Sequence, residues 1–156
     1  MSRLKINLPE KFIFQTSLPV LIGHINYGNH LDNAAVISLV SEARVRFFKH
    51  LGFQEGDVDG VGIVVADAAI QYKAEAFHGD TLIFKMTFAN FSRVGCDNLY
   101  QVLNEANGGE VARGKSGIVF FDYQNRKTVS VPQGFKTALT QLDSAIDFSP
   151  GRSPLS

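Results

Sequence analysis

Residues 24–33 read His-Ile-Asn-Tyr-Gly-Asn-His-Leu-Asp-Asn and concentrate groups that accept, donate or transfer protons. Imidazoles titrate near neutral pH, carboxylates act as bases or nucleophiles, and amides offer both donors and acceptors. The stretch runs directly into an apolar segment, residues 34–51. Unpaired N–H groups at a helix N-terminus stabilise negative charge. The sequence therefore predicts a site at the mouth of a helix, with the N–H groups of residues 33–36 as oxyanion donors.

The segment that follows this polar stretch has the apolar spacing of a helix. One helical face carries the residues Val36, Leu39, Val40, Ala43, Phe47 and Leu51. Its first turns are apolar nearly all round, which is typical of a buried helix. Asp32 or Asn33 is suited to cap its start, and Gly52 is suited to end it in the left-handed conformation.

The rest of the chain predicts a sheet that surrounds this helix. An edge strand interrupted by Pro19 precedes the helix within residues 12–22, and four longer strands follow it, at residues 61–72, 81–91, 98–106 and 111–122. A short strand over 128–131 and a weak helix over 133–142 complete one domain, residues 1–142, before a flexible tail, 143–156. One buried helix with antiparallel strands indicates the α+β class.

Composition excludes several kinds of partner. The 15 basic and 15 acidic residues balance, and no basic stripe favours nucleic acid. There is a single cysteine, Cys96, and the sequence has neither a secretory leader pattern nor an apolar run that could span a membrane, so we expect a cytoplasmic protein. The spacing of His24, His30 and Asp32 fits no standard zinc pattern, so neither a metal nor a cofactor is predicted.

Residues 24–34 also carry a resemblance to a known family. They align with the pattern Asp-x-Asp-x-x-Gly-His-x-x-Asn-Ala, and the helix continues with Glu42-Ala43-Arg44 and residues 47–52, ending in Leu-Gly. Over about residues 12–135 the chain resembles the hotdog-fold thioesterases of the 4-hydroxybenzoyl-CoA thioesterase type. The resemblance implies an antiparallel sheet wrapped around a long central helix, a homodimer or homotetramer, and acyl-CoA bound at a subunit interface.

Both acidic positions of the family pattern carry other residues in this chain. The first Asp is replaced by His24 and the second by Asn26, and in the family the second Asp is often the general base or nucleophile. An amide cannot take over either role of a carboxylate. Another residue must supply the chemistry, or the chain is not a thioesterase.

The candidates for the missing base are Asp32, Glu42, His24 and His30. Asp32 and Glu42 are the two predicted to activate water, and each has a structural alternative. Asp32 is equally suited to cap the helix, and Glu42 to pair with Arg46 one turn later. Asn26 and His30 are predicted to position water or the thioester. The predicted substrate-binding residues are His24, Tyr27, Gly28, Asn29 and Asn33.

The residues leave three functions open. The first is hydrolysis of an acyl-CoA or acyl-carrier thioester to the free acid and thiol. The second is acyl-CoA binding without catalysis, after loss of the Asp. The third is hydration or dehydration of an acyl chain, for which His30 and Glu42 are the acid–base pair that the sequence offers.

Overall fold

The computed structural model describes residues 3–150 and contains two α-helices, one short 3-10 helix and six strands within them. The long helix α1 spans Asn33–His50 and the short helix α2 spans Gln133–Leu142. The strands are β1 (Phe14–Pro19), β2 (Gly62–Tyr72), β3 (Thr81–Ala89), β4 (Gly95–Asn104), β5 (Glu110–Asp122) and β6 (Lys127–Thr128). Each predicted element is present, with ends shifted by one to three residues at most positions.

One antiparallel sheet contains all six strands. Its order is β1-β3-β4-β5-β2, with β6 paired to β5, so that β1 and β2 are its edges. Helix α1 packs across one face against β1 and β3. The alternating residues of β3 that face it are fully or almost fully buried, as their period of two predicts: Leu82, Phe84, Met86 and Phe88.

Burial of α1 on all sides is a prediction that the structure corrects. Val36, Val40 and Ala43 are buried against the sheet, but Ile37 and Val45 are each 46% exposed. The sheet of one chain covers only one side of a helix, so the opposite apolar side lies at the surface. The extra apolar residues of the first turns are therefore a surface feature of the single chain.

The last turns of α1 anchor an aromatic core. Phe47 stacks on Phe88 with ring centroids 4.6 Å apart, and Phe88 meets the edge of Phe135 at 5.1 Å. Phe48 lies 5.8 Å from Phe135, so α2 is attached to the domain through the same cluster. Offset and edge-on pairs of this kind stabilise a core beyond the area they bury.

Both ends of the described chain pack onto the sheet. Ile6 is buried, and its carbonyl accepts a hydrogen bond from Arg113 on β5 at 3.1 Å. The segment 143–150 was predicted to be loose, but Phe148 lies edge-on to Phe91 at 4.8 Å. The Ser, Pro and Gly content of the segment predicted no packing, but Phe148 supplies an apolar contact. The remainder of the predicted tail, 151–156, lies outside the described residues.

Candidate active site

The polar stretch before α1 folds into a tight hairpin. The Asn26 N–H donates to the carbonyl of His30, and the Asn29 N–H donates to the carbonyl of Asn26, both at 3.0 Å. Asn29 has φ 64°, in the left-handed region that Asn tolerates better than most residues. The neighbouring Gly28 does not have a positive φ. Its smallness matters instead, because an added Cβ would lie 3.1 Å from His30 Nε2.

Asn26 and His30 face each other across this hairpin with complementary groups. Asn26 Oδ1 accepts the Gly28 N–H at 2.9 Å, which leaves the Nδ2 amide as a free donor. His30 Nδ1 lies 3.2 Å from the carbonyl of Leu31, so we assign the ring proton to Nδ1. Nε2 is then an acceptor. The pair can therefore offer one donor and one acceptor to a bound molecule.

Asp32 is the N-cap of α1, as one of its two predicted roles requires. Its Oδ2 accepts the N–H groups of Ala34 and Ala35 at 3.0 and 3.3 Å. Its carbonyl accepts the N–H of Val36 at 3.2 Å. The expectation of four free N–H groups at residues 33–36 is therefore wrong for three of them. Only the Asn33 N–H lacks a bonded partner within the described chain.

A cleft of about 280 Å³ opens beside this helix terminus. It brings together the hairpin, the start of α1, and the segment that leaves β2. The lining residues are Asn26, His30, Leu31, Asn33, Val36, Tyr72, Lys73, Ala74, Glu75, Ala76 and Val111. Of the nine predicted site residues, Asn26, His30 and Asn33 line the cleft.

Tyr72 connects the sheet to the start of the helix. Its hydroxyl donates to the carbonyl of Asn33 at 2.9 Å. Burial raises the pKa of Tyr72, and the nearby negative charge of Asp32 raises it further, against the opposing effect of the bond to Asn33. The phenol therefore stays protonated at neutral pH and holds the helix mouth in place.

The sequence matches the family model of the thioesterase-like superfamily over residues 20–139. This match includes the hairpin, α1, and every strand except β1. The chain belongs to the thioesterase-like superfamily. Comparison with curated protein sequences finds no match.

Solved structures of thioesterases share the fold of this thioesterase-like protein. A 1,4-dihydroxy-2-naphthoyl-CoA thioesterase from Synechocystis has a TM-score of 0.75 at 20% identity, covering 83% of this chain and 97% of that one. A gentisyl-coenzyme A thioesterase has a TM-score of 0.72 at 16% identity, covering 81% and 99%. A hypothetical protein from Staphylococcus aureus, solved in complex with CoA, has a TM-score of 0.76 at 15% identity, covering 90% of each chain. The predicted hotdog fold is confirmed.

The remaining predicted site residues of the thioesterase-like protein lie outside the cleft lining. His24 Nδ1 accepts the Leu21 N–H at 2.9 Å, which closes the short 3-10 helix Ile22–His24. Tyr27 is fully exposed at the tip of the hairpin. Glu42 is 52% exposed and lies 3.5 Å from Arg46, the ion pair that its spacing predicted.

Sequence reasoning missed Glu75, a carboxylate that lines the cleft. The residue lies in an irregular segment between β2 and β3, where no periodic pattern marks a side chain as functional. The one available signal is that Glu75 lies between the two predicted strands 61–72 and 81–91, three residues after the first of them ends. A charged residue in a connecting segment of this kind can contribute to a site whose other residues are distant in sequence.

Proposed function

We propose that the thioesterase-like protein hydrolyses an acyl-CoA or acyl-carrier thioester to the free acid and the thiol. The observation that carries the proposal is the cleft at the start of α1, where Asn26, His30 and Asn33 converge. Membership of the thioesterase-like superfamily supports the reaction class. The two solved thioesterases named above act on aromatic CoA thioesters, and the Staphylococcus protein holds CoA, which supports a CoA substrate.

The geometry supports a division of roles among the three residues. The Asn26 Nδ2 amide and the Asn33 N–H are the free donors for the thioester oxygen, which becomes negative in the tetrahedral intermediate. His30 Nε2 accepts a hydrogen bond from water and orients it toward the carbonyl carbon. None of these three residues carries a carboxylate that could act as the base.

The two predicted bases are less well placed than those residues. The Asp32 carboxylate already holds two N–H groups of α1, and deprotonating water there would compete with the cap. Glu42 is paired with Arg46 and does not line the cleft of its own chain. Neither Asp32 nor Glu42 is therefore the best-placed carboxylate to act as the base.

The reaction is tested by thiol release from a panel of acyl-CoAs with aromatic, short and long acyl groups. We expect release with at least one member of the panel. Loss of the enoyl absorbance of crotonyl-CoA without thiol release would establish a hydratase instead. CoA binding without turnover of any member would establish a binding protein.

The proposed assembly is a homodimer formed through the free edge of β2. This edge strand has eleven residues, its partner β5 occupies only one side, and Val65 is 49% exposed. Long apolar edges pair with other strands unless they are protected. We expect Val65→Asp to shift the mass measured by light scattering toward the monomer. Leu142→Asp, at the exposed end of α2, is the matched control and should leave the mass unchanged.

The cytoplasmic location remains part of the proposal. It is supported by the single thiol, Cys96, which is buried and unpaired within the described chain, as suits a reducing compartment. In residues 3–150 no helix is both long and apolar enough to cross a membrane.

A further inference from the structure

We propose that Glu75 is the general base of the thioester hydrolysis proposed above, in place of the carboxylates that residues 24 and 26 lack. Within residues 3–150 it is the only carboxylate that lines the cleft beside Asn26 and His30. The inference rests on the proposed function and adds the residue that removes the proton from water.

The backbone on both sides of Glu75 is anchored, so its side chain leaves from a fixed point. The N–H groups of Lys73 and Ala74 donate to the carbonyl of Val111 on β5, at 2.8 and 3.2 Å. On the other side, the carbonyl of Ala76 accepts the Leu31 N–H at 2.8 Å, and Ala76 is buried. A base on a clamped segment loses little entropy when it takes up its reactive position.

Glu75 and His30 line the same cleft. The residues that follow them in sequence are joined, because the Leu31 N–H donates to the carbonyl of Ala76. His30 is held in turn by its Nδ1 bond to the carbonyl of Leu31. In the proposed mechanism, the attacking water lies in this cleft, where His30 Nε2 accepts one of its hydrogen bonds and Glu75 accepts its proton.

Within the described residues, no side chain forms a hydrogen bond or salt bridge with the carboxylate of Glu75. Its nearest basic neighbour in sequence, Lys73, also lines the cleft and forms no salt bridge with it in residues 3–150. Burial acts to raise the pKa of Glu110, but hydrogen bonds from Arg113 and Gln101, with the charges of Arg113 and Lys73, lower it overall. Within the described chain Glu75 itself forms neither a salt bridge nor a side-chain hydrogen bond. Its oxygens are free to accept a proton.

The chemical step balances with water as the only co-reactant. Glu75 removes a proton from water as the water oxygen bonds to the carbonyl carbon, and the carbonyl oxygen becomes the oxyanion held by Asn26. Collapse of this intermediate breaks the carbon–sulfur bond. The proton on Glu75 passes to the leaving thiolate, which restores the carboxylate and releases the acid.

The test compares Glu75→Gln with Glu105→Gln, a substitution of the same type at an exposed turn outside the cleft. We expect Glu75→Gln to lower kcat for thiol release about 10²- to 10⁴-fold, the usual contribution of a general base. KM should change less than about threefold, since the amide has nearly the same size. Glu105→Gln should match the wild type. In Glu75→Ala, added formate should restore part of the lost rate.

The outcomes separate the two proposals. Thiol release by the wild type with an unchanged kcat in Glu75→Gln would overturn the role of Glu75 and leave the proposed function intact. A lower kcat in Glu75→Gln without any formate rescue of Glu75→Ala would assign Glu75 to positioning and overturn its role as base. No thiol release by the wild type from any acyl-CoA would overturn both proposals.

Discussion

The two ends of α1 differ in burial: the C-terminal end is packed in the core, and the N-terminal end borders an open cleft. At the C-terminal end, Phe47 and Phe48 are completely buried and lie against aromatic rings from β3 and α2. At the N-terminal end, Asn26, His30 and Asn33 border an open cleft and retain unbonded donors or acceptors. The side chains at the C-terminal end are fully packed and stabilise the fold. The polar groups near the N-terminal end remain available to a ligand. Stability and activity should therefore respond separately to substitutions at the two ends.

The largest expected effect is at the aromatic end. Phe47→Ala removes a ring with no solvent exposure that stacks between Phe14 and Phe88, at 4.8 and 4.6 Å. We expect it to lower the free energy of unfolding by about 3–5 kcal/mol, because a cavity remains. Urea denaturation measures the change, with the half-exposed Val45→Ala as the control. A loss below about 1 kcal/mol would contradict the comparison.

The next effect is expected at the cleft end. Asn26→Asp keeps an acceptor for the Gly28 N–H but removes the amide donor. Loss of one oxyanion donor lowers kcat about 10²- to 10³-fold. Steady-state thiol release measures the rate, and urea denaturation should show almost no change in stability. A faster variant would mean that a carboxylate at position 26 acts as the base, as in the family pattern.

A smaller effect is expected at the cap itself, which separates the two predicted roles of Asp32. Asp32→Ala leaves the N–H groups of Ala34 and Ala35 without their acceptor. We expect a loss of about 1 kcal/mol in the free energy of unfolding and less than a tenfold change in kcat. Asp32→Asn, which also caps helices well, should recover most of the stability. A much larger loss of kcat in both variants would identify Asp32 as the base instead.

The smallest effect is expected on the exposed side of α1. Glu42→Gln removes an ion pair to Arg46 between two largely exposed side chains. Such pairs contribute about 0.3–0.5 kcal/mol on a helix. Both the unfolding midpoint and kcat should stay close to those of the wild type. A large loss of kcat at unchanged stability would return Glu42 to the list of bases.

Local patterns in the sequence predicted those parts of the site that depend on contacts between residues a few positions apart. Asp32 caps α1 through N–H groups two and three residues away, and Gly52 takes the left-handed φ of 92° expected at the helix end. Burial around α1 was not predictable in this way, since it depends on which side of the helix the sheet covers.

The sequence by itself determined the α+β class, the helix with its cap, and the location of the site before it. These features follow from hydrophobic period, turn chemistry and helix termini, which act over a few residues. Only the tertiary structure decided which side chains share the cleft. Glu75 lines the same cleft as His30, because Lys73 and Ala74 bond to β5 and Ala76 bonds to Leu31. Pairing between segments distant in sequence creates that proximity, and no local pattern records it.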